Sequence, residues 1–338
     1  MIVFKITRIF FKTIAPQDIR PEHFDPLENL RSLLLIFTVL SAIYKICRRA
    51  DIFKKFFHFF VAFLFAFVYK GFQIHARTHD GRHSLIIAIA NQKGGVGKTT
   101  TSINVSSAIA LMGKRVLLVD MDPQAHSTIS FINNPSRFEK SLYDVLMNKS
   151  EKIHAVIAES TIPGLDVAIS KISMAKLEPS LLGDMDGHYR MKDVLEPIKS
   201  KYDFIFIDTP PTLGLITLNA LVASAFILIP IQSSYLCLEG TDDLLETIDK
   251  VRRIANPRLK IIGVLVTLHD RRTNLAKDVV SRLKKVFGEK LFETYISKSV
   301  KLEESPAYKE SIFTYAPNSV GALQYKKVAE EIIERAKK

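Results

Sequence analysis

Residues 91 to 101 read NQKGGVGKTTT, a run that holds the residue types a polyphosphate site needs. Glycines at 94, 95 and 97 let successive backbone N–H groups turn inward around a phosphate. Lys98 brings positive charge to the β and γ oxygens, and Thr99 offers a hydroxyl to Mg²⁺. The apolar run LIIAIAN (85 to 91) precedes the loop, and helical spacing follows it from Thr99 to Met112. A loop between a strand and a helix N-terminus adds the helix dipole to the attraction for an anion. The bland reading is a glycine-rich turn at a helix start. Three fixed glycines followed by Lys and Thr arise by chance on the order of once per thousand such chains, which favours phosphate binding. The candidate phosphate ligands are therefore Gly94, Gly95, Val96, Gly97, Lys98, Thr99 and Thr100.

Two carboxylates stand at the ends of other apolar runs. Asp122, in LLVDMDPQ (Leu117 to Gln124), can accept a hydrogen bond from a water in line with a γ-phosphate, or it can simply form a turn before Pro123. Asp208, in FIFIDTPP (Phe204 to Pro211), has the layout that holds a Mg²⁺ shell through water. Asp120 ranks below both, as a carboxylate standing behind the site.

The common loop pattern G-x-x-x-x-G-K-[ST] would begin with glycine at position 92, where this chain has Gln92, and a second lysine, Lys93, lies inside the loop. With KGGVGKT the sequence resembles the deviant Walker A family of ParA and MinD ATPases. The resemblance implies ATP and Mg²⁺ as cofactors and an ATP-sandwich homodimer in which Lys93 reaches the partner's nucleotide. It makes Asp122 the residue that positions or activates the attacking water, and Asp208 the Walker B aspartate. Lys93, Lys98 and Asp122 are thus the expected catalytic residues, with Thr99 and Asp208 at the metal.

The run DTPPTLGLITLNAL (Asp208 to Leu221) is similar to ParA and unlike MinD, whose strand usually ends in Asp-Ser-Pro-Ala-Gly. Matches continue through Ile229 to Gly240, Val264 to Asn274 and Ile296 to Tyr325, and none falls in the first 84 residues. Their density points to the chromosome-partitioning type. That implies slow Mg²⁺-dependent hydrolysis stimulated by a ParB-like partner, nonspecific duplex DNA binding in the ATP state, and a cytoplasmic, nucleoid-associated protein. Arg272 matches the arginine of D-x-R-T-N, while Lys298 and Lys301 stand where the family usually has arginines in I-P-R-N-x-R-L-x-E-A-P. Ser297 and Ser305 also depart from that pattern. Lysine keeps the charge that phosphate contact needs and loses the bidentate fork. The plainer reading of these cations is a solvated face.

The elements that must position these groups alternate strand and helix. Residues 115 to 120, 165 to 170, 204 to 208, 226 to 231 and 261 to 267 join 85 to 91 as near-continuous apolar runs, the form of strands covered on both faces. Helical spacing recurs over 240 to 254, 274 to 287 and 320 to 336, the last with Val320, Leu323, Val328 and Ile332 expected on one side. The fold class is α/β, a mostly parallel sheet with helices on both faces, the P-loop NTPase form.

Residues 1–84 are a different kind of chain. They hold 14 of the 22 Phe, two of the 14 Gly and a net charge of +7 out of +12. Their apolar runs, Leu33 to Tyr44 and Phe56 to Tyr69, are each short of the ~20 residues that span a bilayer. With flanking Lys and Arg snorkelling, residues 30–69 reach the length of a helical hairpin that could associate with a membrane. The alternatives are a small soluble domain, or non-native upstream translation with Leu85 at the true start. The division expected is thus a hydrophobic helical extension over 1–84 and a ParA-like ATPase domain over 85–338. Two cysteines, Cys47 and Cys237, one in each part of the chain, cannot build a four-thiolate centre within one chain. The runner-up function is a membrane-tethered MinD- or ParA-like ATPase that positions a protein cargo.

Overall fold

The computed structural model describes residues 84–234 and 241–337. The expected hairpin at 30–69, Cys47 and Cys237 lie outside the described residues. Seven strands form one sheet: β1 (Leu85–Ile89), β2 (Val116–Asp120), β3 (Ile157–Glu159), β4 (Leu165–Ala168), β5 (Phe204–Asp208), β6 (Phe226–Gln232) and β7 (Lys260–Thr267). Their order is β3-β4-β2-β5-β1-β6-β7. Every pairing is parallel except β3 with β4. The six runs read as strands all form strands. The three-residue β3, Ile-Ala-Glu with only Ala158 buried, is too short and too mixed to leave an apolar signature. Each of the five positions of β2 and of β5 is buried, so helices cover both faces of the sheet's centre.

The longer helices are α1 (Lys98–Leu111), α2 (Leu215–Ala223), α3 (Thr241–Ile254), α4 (Asn274–Phe287) and α5 (Val320–Arg335). Helix α1 is buried at eleven of its fourteen positions, unusual for a segment rich in Ser and Thr. Those side chains are small, and they return their hydroxyls to the helix itself: Ser107 donates to Ile103 O at 2.7 Å and Ser106 donates to Ser102 O. A buried hydroxyl satisfied in this way carries no large desolvation cost.

Helix α5 lies on α1, and the Thr101 and Tyr325 hydroxyls meet at 3.2 Å. Its buried residues are Gly321, Ala322, Gln324, Tyr325, Val328, Ala329 and Ile332, recurring at 3-and-4 spacing. Val328 and Ile332 are among them as expected, whereas Val320 and Leu323 are exposed at 62% and 57%. The sequence spacing misplaced those two because small residues, Gly321 and Ala322, take the close contact at the helix start. The carboxy-terminal helix is therefore packed on its own domain through the same face an amphipathic membrane anchor would need.

Gly263, in β7, faces the Phe292 ring, and a Cβ there would stand 2.2 Å from a ring carbon and 2.9 Å from the Lys290 carbonyl oxygen. Overpacking of this kind costs roughly 1–3 kcal/mol. Gly263→Ala should lower the urea midpoint accordingly at unchanged slope; a midpoint equal to wild type would show that the ring moves aside freely.

Candidate active site

Strand β1 ends between β5 and β6, so the loop that follows emerges at the carboxyl ends of the central strands. Gly95 and Gly97 hold φ of 72° and 81°, left-handed conformations that side chains disfavour. Asn91 secures the loop's start, its Oδ1 accepting from Lys93 N at 3.0 Å while its Nδ2 donates to Pro230 O at 2.7 Å. Thr267 secures its end by donating to Val96 O at 2.8 Å. Val96 is accordingly a buried anchor of the loop. The first intrahelical bond of α1 runs from Thr101 N to Gly97 O at 2.9 Å, and the N–H groups before it have no carbonyl within the helix. The first turn carries no acid. Such a cradle of donors fits a polyphosphate.

Lys98 is buried, and its Nζ donates to Lys93 O at 2.9 Å. Burial pushes the ammonium pKa down, while the nearby Asp208 and Asp122 push it up. The cation is therefore held at the loop by a carbonyl that a phosphate oxygen can replace. The Lys93 side chain is half-buried.

Asp208 ends β5 in register with Ile89 of β1 and with Asp120 of β2. Its Oδ1 accepts from the Ser102 hydroxyl and its Oδ2 from Ser127, each at 2.8 Å, and Thr99 bonds it as well. Thr99 and Asp208, the expected metal pair, are thus in contact. A hydroxyl and a carboxylate at the mouth of a phosphate cradle form the oxygen donor set that Mg²⁺ takes. Burial raises the Asp208 pKa to about 6 against the pull of those three hydroxyls.

Asp120 is fully buried across from it. Its Oδ1 accepts from Asp122 N at 3.1 Å, and its Oδ2 accepts from both Thr128 N and Thr128 Oγ1 at 2.7 Å. Burial, and then the Asp208 charge, raise its pKa to about 8. Asp122 follows at the strand end, with Oδ1 accepting from Gln124 N at 2.8 Å. That bond is the turn the sequence also allowed. Ser102, Ser127 and Thr128 were not singled out in the sequence. Ser102 stands four residues after Lys98 and so on its face of α1, a signal that was legible; Ser127 carried none.

A cleft borders the other side of the loop, lined by Gly97, Thr100, Thr267, Ile296, Ser297 and Tyr325 among others. Beyond it the loop after β7 and the segment at 296–301 run side by side, His269 N donating to Ile296 O at 2.9 Å and Lys298 N to His269 O at 3.4 Å. Arg272 and Lys298 therefore sit on adjoining segments, both exposed. Arg272 forms a two-bond pair with Asp270, at 2.9 and 2.8 Å, and Lys301 pairs with Glu304 at 3.1 Å over the Tyr315 ring. Two of the three expected DNA-binding cations are thus matched by carboxylates.

The AAA domain family model matches residues 84–261. The chain is 44% identical over 247 residues to the sporulation initiation inhibitor protein Soj of Bacillus subtilis, covering 73% of this chain and 97% of Soj. It is 38% identical over 252 residues to the chromosome partitioning protein ParA of Caulobacter vibrioides, covering 74% and 94%. The chain belongs to the ParA/Soj family of ATPases. Among solved structures, cobyrinic acid a,c-diamide synthase of Mycobacterium smegmatis with bound ADP and magnesium superposes with a TM-score of 0.66 at 31% identity, over 75% of this chain and 96% of that one. As a ParA/Soj-type ATPase the protein uses ATP and Mg²⁺, which suits the donor cradle and the Thr99–Asp208 pair.

The raised carboxylates in this ParA-type site fix a pH dependence. The folded state keeps the Asp120 proton up to about pH 8, whereas the unfolded chain releases it near 3.8. Stability therefore falls as pH rises through that window and levels off above it. The Tm of the nucleotide-free protein should drop from about pH 7 to about pH 8, and Asp120→Asn should remove most of that slope. An unchanged slope in the variant would assign it to other groups.

Proposed function

We propose that this protein is a DNA-partitioning ATPase that dimerises around ATP, binds duplex DNA without sequence preference, and resets by slow hydrolysis that a ParB-like partner accelerates. Residues 85–338 are the working ATPase domain in this reading, acting in the cytoplasm at the nucleoid, and 1–84 an extension to it. The observation that carries it is a complete phosphate cradle joined to the Asp208 and Asp122 carboxylates in a chain 44% identical to Soj.

The roles follow from position. Gly94 to Thr100 supply N–H groups to the phosphates, with Gly95 and Gly97 making the turn. Lys98 exchanges the Lys93 carbonyl for phosphate oxygens. Thr99 and Asp208 hold Mg²⁺, which neutralises charge on the phosphates when bound, Asp208 acting through water. Asp122 orients the attacking water, and Lys93, on a loop open at Gly94 and Gly95, reaches a partner copy's nucleotide. The base and ribose, which the loop does not hold, lie in the cleft that begins at Gly97 and Thr100.

For DNA, Arg272, Lys298 and Lys301 act as phosphate contacts. Exposed ion pairs contribute little, so a DNA phosphate can displace Asp270 from Arg272. The dimer doubles the contacts, and binding should weaken steeply with salt.

A second reading, a tethered positioning ATPase, draws on the apolar runs within residues 30–69. Among the described residues no helix is long and apolar enough to cross a membrane. One titration separates the two: the full chain against a random duplex, with ATP and with ADP, across a salt series. ATP-dependent, salt-sensitive affinity that falls about tenfold in Arg272→Ala is expected. ATP-driven dimers with no affinity for the duplex would favour the tethered ATPase.

A further inference from the structure

Asp120 has no role in the proposed function, yet it accepts three hydrogen bonds, as many as Asp208. It takes the Asp122 N–H on one oxygen and both donors of Thr128 on the other. Thr128 Oγ1 in turn accepts from Ser170 N at 2.9 Å, and the Ser170 hydroxyl donates to Asp122 O at 2.8 Å. The peptide groups of Asp122 are thus held on both sides, its N–H by Asp120 and its carbonyl by Ser170. Ser127, next to Thr128 in the chain, holds the metal-side carboxylate Asp208. Asp120, Thr128 and Ser170 are all fully or almost fully buried, so none of these bonds is exchanged with water.

We infer that Asp120 is a positioning residue for ATP hydrolysis: through Thr128 it locks the Asp122 backbone to the segment whose Ser127 grips Asp208, so that the water arm and the metal arm move as one unit. In this role Asp120 acts through Asp122 and Thr128. The inference rests on Asp122 being the group that orients the water. Each Asp120 oxygen must accept a backbone N–H, from Asp122 on one side and Thr128 on the other, and a carboxyl group does so with or without its proton. Asparagine at 120 turns its NH₂ either toward Asp122 N or toward Thr128 N, and in each case two donors face each other. Thr128→Val removes the hydroxyl link at nearly constant volume.

The test is a double-mutant cycle on the full chain, Asp120→Asn, Thr128→Val and both together, reading steady-state kcat with Mg²⁺ and the dissociation constant for ATP. Each single variant should lower kcat about tenfold with ATP affinity within about twofold of wild type, and the double variant should be no slower than the slower single. Thr128→Ser should restore most of the rate. Unchanged kcat in Thr128→Val, multiplicative losses in the double variant, or losses of rate and ATP affinity in parallel would each overturn the inference. Asp122→Ala, measured alongside, separates the failures. If it keeps full turnover, the water role of Asp122 falls and the inference with it. If it is inactive while Asp120→Asn and Thr128→Val turn over normally, only the inference falls.

Discussion

The Asp208 carboxylate, fully buried at the end of the central strand β5, constrains everything around it. A buried charge is tolerated only when its oxygens are hydrogen-bonded. Three hydroxyls meet that demand, Thr99 and Ser102 from α1 and Ser127 from the segment after β2. Each comes from an element that must approach within hydrogen-bond distance of β5. The requirement therefore sets the depth at which α1 lies and where the chain turns after Asp120. The same three bonds leave the carboxylate beside the phosphate loop, where a divalent cation can share it.

The rest of the fold accommodates that arrangement. A helix that brings Thr and Ser to a buried carboxylate must itself be buried, and α1 achieves this with small side chains whose hydroxyls fold back on its own carbonyls. Helix α5 covers it, the Tyr325 hydroxyl reaching that of Thr101. Parallel neighbours on both sides of β1 and β5 put the loop, Asp120 and Asp208 at one edge of the sheet. Burial at facing positions of β2 and β5 raises the pKa of both carboxylates, Asp120 the further because the Asp208 charge adds to its desolvation.

Much of this was legible in the sequence, for physical reasons. Strands buried on both faces have to be apolar throughout, so the six runs that build the parallel sheet were visible, and the Asn274–Phe287 helix matched to the residue. The phosphate loop was legible because left-handed backbone at 95 and 97 calls for glycine. What escaped was interaction between distant segments. Ser127 and Asp208 are 81 residues apart, and Ser170 and Asp122 are 48 apart, pairings that no local pattern encodes. Val320 and Leu323 were misplaced for a related reason, since the close approach of the distant Leu302 to Gly321 turns inward small residues that a hydrophobic pattern undervalues. The cations at 272 and 301 were recognised, but their partners Asp270 and Glu304 came only with the geometry.

The central claim is that ATP joins two copies through the loop that holds it. Its most direct test is the solution mass of the 38.2 kDa chain carrying Asp122→Ala, with Mg²⁺ and ATP or ADP, by light scattering coupled to size exclusion. The account predicts a dimer with ATP, a monomer with ADP, and a monomer with ATP once Lys93→Ala is added. A monomer under every nucleotide condition, or a dimer indifferent to both nucleotide and Lys93, would contradict it.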